Sequence, residues 1–313
     1  MSFEVIVDES AKHPIIVLKD RNADCEAAIY AFGALLNSFS IANKGNRTNV
    51  VDGFSSVEEA MENSTNGFKS SKLSPFVCRM KNGEYSFDGN DYKIEKFYLP
   101  PHAIHGLLYD AVYEVAATNI DDGSASVTLT ATYKADDNGY PFHYTSSIVW
   151  KLEANNKLSV TTSVYQSNGK AIPFADGWHP YFKFGENVDE CSLQFNSNQL
   201  VEFDETLIPT SNIINDERFV EGALLKDIFL DNCFKLNNNN QPAVVLKNES
   251  LQLSIEPDAS YPYIQIYTPP HRKSIAIENL SGAPDCFNNN MGLLLLKPNQ
   301  DYSFTTSYIL KAL

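Results

Sequence analysis

No stretch of this chain approaches the roughly 18 consecutive apolar residues that a membrane-spanning helix needs. A membrane partner is therefore not expected. Positive charge is scarce as well: 24 Lys and Arg face 39 Asp and Glu, a net charge of −15. Such a surface repels phosphate backbones, so nucleic acid is not an expected partner. Cysteines are few, odd in number and far apart (Cys25, Cys78, Cys191, Cys233 and Cys286), and no CxxC pair occurs. That pattern predicts free thiols in a reducing cytoplasm rather than a disulfide framework or a zinc ribbon. The opening MSFEVIVDESAKHP has early acids and lacks the basic-then-apolar order of an export signal. Alternating strand and helix patterns are missing, which argues against a doubly wound sheet. No repeat at propeller spacing occurs either.

What is present is period-two alternation. Ser126–Tyr133 puts Val127, Leu129, Ala131 and Tyr133 on one face and Ser or Thr on the other. Leu158–Tyr165 and Leu251–Ile255 read the same way, as half-buried antiparallel strands. Turn signals punctuate them, including Asp88-Gly89, Asp136-Asp137-Asn138-Gly139, Asn155-Asn156 and Ser167-Asn168-Gly169. One helix of about two turns is expected after Ser55-Ser56-Val57-Glu58-Glu59, which holds two overlapping capping boxes. Asn237–Asn240 reads as a short polar loop. With 313 residues and 43% hydrophobic content, the chain can bury a large core. It reads as all-β: a large antiparallel β-sandwich with one or few short helices, in a single domain over 1–313.

Candidate chemistry collects around five segments. In GWHPYFKF (177–184), His179 stands in an aromatic run, either as a hydrogen-bonded core residue or as a working ring at an apolar pocket wall. Pro100-Pro101 stiffens the approach to His102 and His105, and Gly106 lets the backbone turn just after them. His102-x-x-His105 also raises the question of metal, but no strand or helix is expected to frame the pair as zinc ligands usually are. Glu278 ends the apolar strand SIAIEN, on the face opposite Ile275 and Ile277. Asp231, between apolar residues, is either an Asx-turn cap or a pocket acceptor. Arg79 follows the apolar run SPFVC and either snorkels or binds.

Taken together, SPFVCRMKNG (74–83), AIHGLLYD (103–110), GWHPYFKF, FLDNCFKL (229–236) and IAIENLSGAPDCFNN (275–289) resemble the aldose 1-epimerases, or galactose mutarotases. The two ends of the chain, CEAAIYAFGALLNSFSI (25–41) and GLLLLKPNQDYSFTTSYIL (292–310), look similar too. The resemblance implies a large antiparallel β-sandwich and no cofactor or metal. It implies His179 as general acid, Glu278 as general base, and Arg79, His105 and Asp231 as holders of sugar hydroxyls. Trp178, Tyr181 and Phe182 would add apolar walls. This chain departs from the family pattern with Cys78 before Arg79, where asparagine is frequent, and with Pro-Asn-Gln at 298–300 for Pro-Gly-Glu.

The expected partner is a small-molecule sugar, and the expected assembly a monomer or homodimer. Three other functions compete: a catalytically silent sugar-binding module, a hexose-6-phosphate epimerase, and a polysaccharide lyase or hydrolase. The silent module predicts a degraded acid/base pair, yet His179 and Glu278 are both present. The phosphate enzyme needs a cationic clamp, for which Arg272-Lys273 is the one basic cluster that suggests itself. Hydrolysis would normally set two carboxylates about one bond.

Overall fold

The computed structural model describes residues 2–237 and 242–313. Of the expected polar loop at Asn237–Asn240, all but Asn237 lies outside the described residues.

Alternation does what it predicts. In Tyr144–Glu153 every second residue is buried, Tyr144, Ser146, Ile148, Trp150 and Leu152, with the others half-buried. Such a strand can pair on both edges while packing one face. It lies in a nine-stranded sheet of order Glu114–Ile120, Ser124–Tyr133, Tyr144–Glu153, Lys157–Tyr165, Asp301–Ala312, Leu251–Pro257, Val244–Lys247, Ser192–Phe195 and Ala223–Leu224. The three expected strands fall within members of this sheet. Asn155 and Asn156 both take positive φ in the turn between two of them, which asparagine tolerates better than most residues.

The second large sheet runs Pro209–Asn215, Gln199–Phe203, Asp231–Lys235, Tyr263–Tyr267, Ile275–Leu280, Gly177–His179, Ser71–Leu73, with Tyr181–Phe182 also pairing the Ile275–Leu280 strand. Inner faces of the two sheets meet in one connected hydrophobic cluster that includes Trp150, Trp178, Leu158, Phe182, Ile277 and Tyr308. A five-stranded antiparallel sheet, Phe3 to Asn49, packs beside it.

The expected helix is Val57–Asn63. Ser56 caps it, its hydroxyl accepting from the Glu59 amide, while the Glu59 carboxylate reaches back to the Ser55 amide at 2.6 Å. The overlapping boxes are thus used as one composite cap. A second, four-residue helix, Cys286–Asn289, was not legible as a helix because it starts from Asp285 in a left-handed conformation without a side-chain cap.

One polar group sits deep between the sheets. Lys72 is fully buried, with Nζ 2.5 Å from Asp176 Oδ1, 3.1 Å from the Gly177 carbonyl and 4.5 Å from the centre of the Trp178 ring. Tyr261 donates to the same Asp176 oxygen at 2.6 Å. Burial pushes the Lys72 ammonium down to about 8 and lifts the Asp176 carboxyl, while each partner opposes the shift of the other.

Candidate active site

The site grows out of sheet register. Glu278 lies opposite Gln265 on the neighbouring strand. On the other side Trp178 pairs with Asn279, so one step along, His179 comes opposite Glu278. Cys233 lies opposite Gln265 in turn, and Asp231, two residues before Cys233, shares its face. Period-two geometry therefore gathers His179, Glu278, Gln265 and Asp231 on one face from four adjacent strands. A three-stranded sheet brings the rest: Arg79 pairs with Ile104, and His105 follows directly.

Backbone conformation aims the His105 loop. Both His105 (φ 64°) and Gly106 (φ 76°) are left-handed. A Cβ at Gly106 would stand 2.4 Å from the Ser74 carbonyl oxygen, so only glycine allows this approach. The His105 amide donates to the Cys78 carbonyl at 3.0 Å, tying the two segments together.

His179, Gln265, Asp231, Arg79 and His105 line a cavity of about 230 Å³ together with Phe68, Phe97, Ile104, Tyr181 and Tyr267, while Glu278 is buried against His179 rather than in the lining. His179 Nε2 lies 3.3 Å from Glu278 Oε1, with both side chains almost fully buried. Tyr181 stacks on His179 at 5.1 Å, and His105 meets His179 edge-on at 4.7 Å. Asp231 accepts from Gln265 Nε2 at 2.7 Å and lies 3.6 Å from Arg79. The Cys78 thiol donates to Glu278 Oε2 at 3.7 Å. Gln265 Oε1 and His105 Nδ1 are buried without a partner among the described residues, which leaves them capacity for a polar ligand.

Electrostatics follow from dryness. Burial pushes Glu278 well above the usual carboxylate range, and the nearby Asp231 charge adds to it; the Cys78 hydrogen bond and Arg79 pull the other way. Burial pushes the His179 imidazole down to about 4. His105 is pushed well down too, by burial and then by His179 and Arg79. Both shifts favour the neutral forms of the His179–Glu278 pair, so a proton shared between them is drawn to the carboxyl side.

Several expectations change. Trp178 does not line the cavity. Strand alternation turns it, with Asn279, toward the other sheet, where its ring lies 5.4 Å from Trp150 and Asn279 accepts from Thr306. Phe182 is likewise a core residue, 5.7 Å from the ring of Tyr308. A strand, His102–Ile104, does frame the two histidines, yet it separates them: His102 Nδ1 accepts from the Asn82 amide and only His105 reaches the cavity. Arg79 reaches Asp231 instead of snorkelling. Gln265 was missed; the signal for it was one amide inside the otherwise apolar strand YIQIY, every residue of which but the last is buried.

Comparison with known proteins shows the family. A family model for aldose 1-epimerase matches residues 14–309, so the chain belongs to the aldose 1-epimerase family and is an isomerase of that class. Among curated relatives, the uncharacterized protein YihR of Escherichia coli K12 is 29% identical over 238 residues, 74% of this chain and 75% of its own. A galactose mutarotase-like protein from Clostridium acetobutylicum superposes with a TM-score of 0.88 at 17% identity, covering 100% of this chain and 99% of its own. Galactose 1-epimerase from Lactobacillus acidophilus gives 0.83 at 19% identity, with 99% and 98% covered. These structures share the fold. Among the described residues no helix is long and apolar enough to cross a membrane, and all five cysteines are free and buried.

Proposed function

We propose that this isomerase interconverts the α and β anomers of a neutral aldohexose such as galactose or glucose. The observation that carries the reading is the 3.3 Å approach of His179 Nε2, at the wall of a mostly apolar cavity, to the buried Glu278 Oε1. Its volume is below the roughly 300–1,000 Å³ of pockets for drug-sized ligands, as suits a single sugar ring. Glu278 takes the proton of the C1 hydroxyl while His179 gives one to the ring oxygen, and the C1–O bond breaks. The C1–C2 bond of the open aldehyde rotates, and closure on the other face returns both protons. Arg79, His105, Asp231 and Gln265 hold hydroxyls, and Tyr181 faces the C–H side of the ring. No step calls for a cofactor. We read the chain as one domain acting in the cytoplasm, a setting that free thiols favour.

The pKa directions give this cycle a driving force. The ion pair that starts ring opening is disfavoured by the dry cavity, while the open-chain stage leaves the proton on Glu278, the form that burial prefers. Polarimetry on freshly dissolved α-glucose and α-galactose, with and without protein, tests the reading; rates equal to the buffer blank would end it.

The pH profile follows. Activity needs one proton on the pair, so the acid limb of kcat/KM falls near His179's value of about 4, not near the ~6.5 of a free imidazole. The alkaline limb lies where Glu278 ionises, above the carboxylate range. An acid limb at 6 to 7 in the blank-corrected profile (roughly the free imidazole value) would contradict the coupled pair.

Substrate charge gives a further expectation. Arg272, the core of the suspected phosphate clamp, is committed elsewhere: it pairs with Asp189 at 2.5 Å and donates to the Ile228 and Leu225 carbonyls. Inside the cavity Asp231 would face a phosphate with like charge, and Arg79 beside it is already paired with that aspartate at 3.6 Å. Such contacts cost about 1 kcal/mol in water and about 4 at an effective dielectric of 20. A neutral hexose is therefore turned over with a kcat/KM roughly tenfold or more above its 6-phosphate. Parallel assays decide, and a preference for the phosphate reverses the assignment.

A further inference from the structure

We propose that Cys78 and His105, at the wall of the sugar cavity, form a zinc site with the buried Glu278, and that a bound ion shuts sugar out. One ligand atom from each of the three lies within 4.8 Å of the other two. Cys78 Sγ and Glu278 Oε2 are already 3.7 Å apart, close to the roughly 3.5 Å edge of a tetrahedron built on 2.0–2.3 Å zinc bonds. His105 is 7% exposed and lines the cavity, and its Nδ1 has no partner among the described residues. Three protein ligands with a fourth position open to the cavity is the arrangement of an accessible zinc site.

Donor chemistry selects the ion. A thiolate and an imidazole suit zinc and other borderline or soft divalent ions, whereas magnesium and calcium take sets made of oxygen alone. Binding is a ligand exchange without redox: Cys78 gives up its thiol proton, the His179–Glu278 pair gives up its proton, and both go to solvent. Charges around the site divide. Asp231 supports a cation, Arg79 opposes it, and their mutual contact at 3.6 Å offsets part of that opposition. His179 stays beside the other carboxylate oxygen. The zinc site rests on donor geometry alone, while exclusion of sugar rests on the proposed roles of Glu278 and His105.

The test separates the two. Protein dialysed against EDTA is titrated with Zn²⁺ by equilibrium dialysis and elemental analysis. Co²⁺ is used in parallel to read a thiolate-to-metal charge-transfer band, and mutarotation is followed by polarimetry. One zinc per chain, a cobalt–thiolate band and a rate that falls with occupancy are expected. Added sugar should weaken zinc binding. Cys78→Ala and Cys78→Asn should each weaken zinc at least tenfold, since altering even outer-shell partners costs about 10–100-fold. The asparagine variant guards against misfolding, because Cys78 has φ 48° and asparagine tolerates that region. Unchanged binding in both variants, or no thiolate band, puts the ion on surface carboxylates and overturns the site. Bound zinc that leaves the rate unchanged overturns the exclusion, and a rate lost on EDTA dialysis and restored by zinc overturns it too. Zinc uptake as expected by a protein that turns over no sugar would instead sink the mutarotase reading and leave the site standing.

Discussion

Glu278→Gln lowers kcat for anomer interconversion by about 10²–10⁴-fold, and His179→Asn does the same, the range typical of a lost general acid or base. Glutamine keeps the shape of the side chain but cannot take up a proton at that position. The substitution also removes a carboxyl whose burial is unfavourable to its ionised form, so the folded state keeps its stability or gains some. Because the two groups exchange protons within one cycle, the double variant should be little slower than either single one. Polarimetric rates paired with circular dichroism and urea midpoints make the measurement. Near-wild-type rates in either folded variant would remove that residue from the chemistry.

Removing Lys72 has the largest expected effect on stability. Lys72→Met leaves Asp176 in a fully buried place with Tyr261 as its remaining side-chain donor. Breaking a buried ion pair from one side costs about 3–5 kcal/mol, because the other charge is stranded. The deficit should depend on pH with a definite sign. Without its ammonium, Asp176 has a folded-state pKa raised further above its unfolded value, so stability is recovered as pH falls and lost as pH rises. Replacing both, as Lys72→Met with Asp176→Leu, should restore much of the loss, since apolar substitutes for a buried pair are frequently neutral or better. Urea unfolding at pH 5 and pH 8 reads all three proteins. A single variant within about 1 kcal/mol of wild type at pH 8, the scale of an ordinary surface pair, would show that the pair is not stabilised as its geometry implies.

Much of this was written locally in the chain, and what was not is explained by how sheets assemble. The strands at 126–133, 158–165 and 251–255 announce themselves because each alternates an apolar buried face with a polar one. Ser56 and Glu59 mark the helix because capping is a contact between near neighbours. Glu278 was placeable on the face away from Ile277, and the structure sets it against His179, a cavity residue. Trp178 misled because its neighbours are aromatic, and aromatic residues serve a pocket wall and a core equally well. Its side was settled by its pairing with Asn279, a partner a hundred residues away. Gln265 left a local trace as the one amide in YIQIY, but its place beside Glu278 depends on register between strands, and Cys78 is aimed by a left-handed turn just before the strand Arg79–Met80. His102 and His105 looked like a pair in sequence, but His102 opens the strand His102–Ile104 and binds the Asn82 amide, while His105, just past the strand, enters the site.

Synthesis order adds one consequence of the sheet topology. In the nine-stranded sheet, Asp301–Ala312 lies between Lys157–Tyr165 and Leu251–Pro257 and pairs with both. It comes later in the chain than every strand it joins. Until it leaves the ribosome, that sheet exists as two fragments, each with a bare edge of unpaired amides and carbonyls. Tyr308 within it also packs on Phe182, next to the residues that carry the acid and the base. A nascent chain can form its hairpins early, but it closes its core only once this strand slides into a slot already flanked on both sides. Such an opening attracts foreign strands, so the interval before closure is when this protein most needs protection from its own copies.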